Sequence, residues 1–97
     1  MIYEWNPRKA TVNLRKRAVP FSEATSAFLD PMAWTFEDPN HSGEEDREIT
    51  IGVSAKGRVL FVAPAARADR IRLISARKAT ARERKQYAER ISKRIEG

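Results

Sequence analysis

The stretch from Glu48 to Arg77 constrains the fold most, because it holds three β-type runs joined by short connections. Glu48–Ser54 alternates, with Ile49, Ile51 and Val53 facing one way and Thr50, Gly52 and Ser54 the other, as in a half-buried strand. Ala55–Arg58 reads as a hairpin turn in which Gly57 supplies a positive φ. Val59–Ala63 is continuously apolar, which predicts a central strand covered on both faces. Pro64–Ala68 is expected to be a connection, since proline cannot donate to an interior ladder. Asp69–Arg77 then returns as a long strand. Upstream, Ala33–Glu37 also alternates, with Trp34 and Phe36 on one side. The expectation is an antiparallel meander of about four strands.

Helical signals flank this meander. Ile2–Trp5 reads as a short strand, and Asn6-Pro7 as an N-cap with proline at the first helical position. Ala10 and Leu14 should form the inner face of that helix, with basic residues elsewhere. Ser22 is expected to cap a second helix carrying Ala24, Ala27 and Phe28, which Asp30-Pro31 stops. Thr80-Ala81-Arg82-Glu83 is a capping box, and Tyr87, Ile91 and Ile95 follow at helical spacing. The predicted fold is a single α+β domain over residues 1–97: a short strand, two helices, the meander and a C-terminal helix. Its core should draw on Trp5, Leu14, Phe28, Trp34, Ile49, Ile51, Val53, Val59, Phe61, Ile71 and Leu73.

Composition narrows the function. The chain has no cysteine, which excludes disulfides and thiolate metal sites, and the lone His41 cannot build a metal site by itself. We expect no metal and no cofactor. No apolar run approaches the roughly 20 residues that cross a bilayer, and the N-terminus lacks the layout of a signal peptide. The expected location is the cytoplasm, with no membrane partner. The net charge of +6 is unevenly spread. Residues 37–48 are acidic around His41, whereas residues 67–97 carry eleven Lys or Arg against four acids. A basic face of this density suits nucleic acid or an acidic protein.

The most informative segment is Asp69-Arg70-Ile71-Arg72-Leu73-Ile74-Ser75-Ala76-Arg77-Lys78-Ala79-Thr80. Period-two alternation puts Ile71 and Leu73 on one face and Arg70 and Arg72 on the other. Guanidinium groups on a rigid strand bind phosphate oxygens bidentately, and Arg58 at the hairpin turn is a candidate to join them. The parity does not close, however. Asp69, Ser75 and Arg77 share Ile71's side in a regular strand, and reach Arg72's side only through a bulge, a twist or a strand end. Asp69 has two open readings: a proton acceptor, or a carboxylate that orients an arginine.

The chain resembles the BrnT family of bacterial type II toxins. The resemblance rests on Tyr3-Glu4-Trp5-Asn6-Pro7-Arg8-Lys9-Ala10 with Asn13-Leu14, on Phe21–Ala27 and Phe36-Glu37-Asp38-Pro39, and above all on Arg70–Thr80 with Glu83-Arg84 and Tyr87. It implies a RelE-like fold and metal-independent RNA cleavage. It also implies a BrnA-like ribbon-helix-helix antitoxin, through which alone operator DNA is bound. By the same resemblance the catalytic roles fall on Arg58, Asp69, Arg72, Ser75 and Arg77. The basic residues Arg70, Lys78, Arg82 and Arg84 are expected to track the RNA backbone. The chain departs from the family at Pro64-Ala65-Ala66-Arg67-Ala68, where a segment like His/Tyr-Thr-Glu-Arg-Gly is usual. That departure leaves an alternative function open: a catalytically weakened, antitoxin-binding subunit, or a non-enzymatic nucleic-acid-binding domain. His41, in the acidic loop, is read as a solvated residue rather than a catalyst.

Overall fold

A computed structural model describes residues 2–38 and 48–96. The elements run β1 (Ile2–Trp5), α1 (Pro7–Arg17), α2 (Phe21–Ala27), β2 (Trp34–Glu37), β3 (Glu48–Val53), β4 (Val59–Arg67), β5 (Arg70–Lys78) and α3 (Ala81–Glu96). Strands β2 to β5 form the expected antiparallel meander. The sheet nevertheless has five strands, in the order β1-β5-β4-β3-β2, because β1 pairs in parallel with β5, Ile2 opposite Arg70 and Trp5 opposite Leu73.

Each sheet face carries its own helical layer. On one face α2 and the segment before it set Val19, Phe21, Ala24 and Ala27 against Leu60, Val62, Leu73 and Ala76. On the other, Tyr87 and Ile91 of α3 pack with Ile49, Ile51, Val53, Val59, Phe61 and Ala63. The continuous apolar run at Val59–Ala63 therefore reflects a strand covered on both sides.

Several caps match their sequence signals. The Asn6 side chain accepts from the Arg8 and Lys9 amides at 2.8 and 3.3 Å, and the Thr80–Glu83 capping box closes in both directions. Others do not. The cap of α2 is Pro20, with Ser22 inside the first turn and no side-chain bond at the cap. On α1 Ala10 packs against the core as expected, but Leu14 is half exposed, and the buried residue of the helix is Asn13. The reason is where α1 lies. It stands beside β5 beyond the end of β1, where the strand edge offers bare N–H and C=O groups. The Asn13 amide accepts from the Ala76 N–H at 3.1 Å and donates to the Ala76 and Val19 carbonyls at 2.9 Å each. An amide satisfies a strand edge that a leucine would leave unpaired.

Pro64 lies inside β4 rather than ending it. Among the described residues β4 pairs with β3 only as far as Val62, and the β4–β5 register shifts between Ala63 and Pro64. A proline at a bulge, with one neighbour strand, breaks no interior ladder. The turn shrinks to Ala68 and Asp69, so Asp69 precedes β5 instead of opening it.

Candidate functional site

The register shift that accommodates Pro64 also sets the chemistry of β5. Leu73 faces Pro64 and Ser75 faces Ala63, so Ile74 has no partner and forms the bulge. Before it, Arg72 stands opposite Ala65; after it, Ser75 and Arg77 stand opposite Ala63 and Phe61. Ala63 and Phe61 belong to the layer on the α3 side, and Leu73 and Ala76 to the layer on the other. Arg72, Ser75 and Arg77 thus share one face, which a regular strand would forbid.

Arg77 is rigidly held. Its guanidinium lies 3.8 Å from the Phe61 ring centroid and donates to both Glu83 carboxylate oxygens, at 2.7 and 2.9 Å. The Arg77 bonds hold the Glu83 carboxyl below its usual range, against the burial that would raise it. Glu83 is therefore both a helix cap and the anchor of an arginine. Arg72 differs. It is half-buried, and among the described residues no carboxylate pairs with it. The nearest carboxylate by register is Glu4, directly across from Arg72 on β1, with its side chain on the same face and 3.6 Å from the Arg70 guanidinium.

Arg58 does not join this group. It reaches α2 on the opposite face, donating through Nε to Glu23 Oε2 at 2.9 Å, through Nη2 to Glu23 Oε1, and to the Ala18 carbonyl at 3.2 Å. Glu23 is buried and also accepts from the Ser54 hydroxyl at 2.7 Å. The Arg58 bonds, outweighing burial, hold its carboxyl below the usual range. This partner lies 35 residues away in sequence, beyond anything the local spacing around Arg58 encodes.

Asp69 sits in the β4–β5 turn, 78% exposed, with its carboxylate 3.8 Å from Arg70. The orienting reading fits this geometry better than a fixed proton acceptor. Lys78 is exposed opposite Leu60, away from the Arg72 face. Arg82 and Arg84 lie exposed at the start of α3, and Arg84 donates to the Ala79 carbonyl at 2.9 Å. His41 and most of the acidic loop lie outside the described residues. Within them, no group of three or more His, Asp or Glu is placed to hold a metal ion, and no helix is long and apolar enough to cross a membrane.

A family model described as "Ribonuclease toxin, BrnT, of type II toxin-antitoxin system" matches residues 5–83, most of the chain. The chain belongs to the BrnT family. No curated protein matches it. Membership makes this a ribonuclease toxin by family, with RNA as the class of substrate and an antitoxin as the class of partner. The BrnT match spans the bulged strand, Arg72, Ser75, Arg77 and the Glu83 anchor. It leaves out Glu4 and most of α3. Where this BrnT chain carries Pro64–Ala68, Ala65 presents only a methyl group across from Arg72.

Proposed function

We propose that the chain is the toxin of a type II pair and cleaves RNA internally, without a metal ion, on the β5 face that carries Arg72, Ser75 and Arg77. The observation that supports this most is the Ile74 bulge, which gathers those three side chains on one face. In this reading the substrate's 2′-hydroxyl attacks the adjacent phosphorus and the bond to the 5′-oxygen breaks. Negative charge grows on the phosphoryl oxygens in the transition state. Arg72, free of an internal carboxylate, meets that charge, and Ser75 donates a hydrogen bond to it. Arg77, fixed by Glu83 and Phe61, adds a preorganised positive edge. Arginine stays protonated and is a poor proton acceptor, so the 2′-hydroxyl proton goes to a carboxylate. We assign that role to Glu4, alongside Arg72, and leave Asp69 to orient Arg70. The leaving 5′-oxygen takes its proton from water.

The partner in this reading is a BrnA-like ribbon-helix-helix antitoxin, which alone contacts operator DNA, and the setting is the cytoplasm. In this reading the fold is a RelE-like arrangement. One observation favours a second reading. Ala65 leaves the neighbourhood of Arg72 without the polar group usual in the family, which suits a catalytically weakened, antitoxin-binding subunit.

The test is incubation of RNA with the purified chain in excess EDTA, followed by mass analysis of the ends. The expected products carry 2′,3′-cyclic phosphate and 5′-hydroxyl. Cleavage that stops on chelation contradicts the metal-free mechanism. Absence of cleavage at any chain concentration favours the binding subunit.

A further inference from the structure

β1 ends at Trp5, opposite Leu73, so among the described residues no strand covers the β5 edge from Ile74 onward. Helix α1 stands beside that edge, held there by the two bonds between the Asn13 amide and the Ala76 backbone. Between them lies an open groove of about 370 Å³. Arg8, Lys9, Lys16 and Arg17 line it from the helix, and Val12 and Ile74 add aliphatic surface to its lining. Ser75 also lines it from the strand.

We infer that this groove is a second phosphate-binding subsite, which holds the RNA backbone next to the phosphate that is cleaved. The inference rests on the reading of the β5 face as a ribonuclease site. Three observations carry it. The first is charge. Four cations line the groove and no acid does. Among the described residues the ion-paired carboxylates go to Arg58, Lys56, Arg70 and Arg77, and none to these four. At 1.5 Å per residue, Arg8 to Arg17 spreads this charge over about 14 Å of helix. The second is continuity. Ser75 lines the groove and also stands on the β5 face of Arg72 and Arg77, so the groove and that face adjoin at this residue. The third is the lining. It has no aromatic ring on which a base can stack. The groove therefore reads the sugar-phosphate chain and not the sequence. An acidic peptide shares the charge complementarity but has no reason to run on to Ser75.

The experiment compares the wild-type chain, Lys9→Ala/Lys16→Ala, and Lys93→Ala/Arg94→Ala as a control of equal charge on the exposed end of α3. Binding is measured with a fluorescent, fully 2′-O-methylated oligonucleotide, which cannot be cut, over a range of salt. The groove variant should bind at least 10-fold more weakly at low salt. Each lost single-strand phosphate contact should lower the salt slope by about 0.7. In cleavage assays its KM should rise with kcat within a few-fold of wild type. The control should match wild type in both, and thermal unfolding should show all three folded. Equal Kd and salt slope in the two variants would overturn the subsite. So would a groove variant that binds RNA normally but loses the antitoxin, which makes an acidic protein segment the occupant. Since the oligonucleotide is uncleavable, the binding arm reads the groove even if the chain proves unable to cut RNA.

Discussion

Arg58 and Arg72 carry the same guanidinium to opposite faces of the sheet, and only the first meets a buried carboxylate. Arg58 neutralises Glu23 beneath α2, where loss of the partner leaves a buried charge with, among the described residues, only Ser54 and the more distant Lys56. Breaking such a pair is costly because the remaining charge has already lost its water. Arg58→Ala should therefore lower stability by about 2–3 kcal/mol, measured by urea denaturation, with the cleavage rate per folded molecule unchanged. A cleavage defect without a stability defect would return Arg58 to the catalytic site. At this scale sequence reading had partial reach. The alternation of Arg70, Ile71, Arg72 and Leu73 is local and was legible. The partners of Arg58, Arg72 and Asn13 come from far along the chain, and side-chain spacing carries no record of them.

At the scale of elements, the bulge in β5 and the proline in β4 are one feature seen from two strands. A proline at Pro64 cannot serve a regular ladder, and an unpaired Ile74, next to the Leu73 that faces it, resolves both the ladder and the side-chain parity. The parity conflict among Arg72, Ser75 and Arg77 was the legible trace of that bulge. The parallel β1–β5 pairing left no trace, because nothing within a four-residue strand names its neighbour. Carboxylates also join elements: Glu23 ties α2 to the β3–β4 turn, and Glu83 ties α3 to β5. Both have pKa values lowered in the fold from 4.5. Their contribution is thus fully present above pH 4.5 and is lost as pH falls through the lower folded values. Tyr87 works in the other direction. Burial and the Asp30 carboxylate raise its hydroxyl to about 12 from 10.0, so its contribution holds below pH 10 and fades between 10 and 12. Thermal unfolding across pH should show both flanks, Glu23→Gln shrinking the acid loss and Tyr87→Phe the alkaline loss. Flanks of unchanged steepness in these variants would contradict the assignments.

For the whole molecule, charge and exposure together define the proposed antitoxin's target. Residues 67–97 hold eleven basic and four acidic side chains, a net of +7. The apolar anchors expected on α3 are mostly spent inside: Tyr87 is buried and Ile91 packs on the sheet, leaving Ile95 at 79% exposure. An acidic antitoxin should therefore associate fast and with strong salt dependence. Stopped-flow rates should drop steeply as ionic strength rises, and rates indifferent to salt would place the interface off the basic surface. The central claim, that the open β5 face does the chemistry, is tested most directly by single-turnover RNA cleavage in EDTA by wild-type chain and Arg72→Ala. Loss of a preorganised donor to transition-state charge typically costs about 100- to 1,000-fold in rate. The account predicts a loss of that size with the unfolding midpoint unchanged, since Arg72 pairs with no described carboxylate. A variant that cuts RNA at the wild-type rate would contradict it.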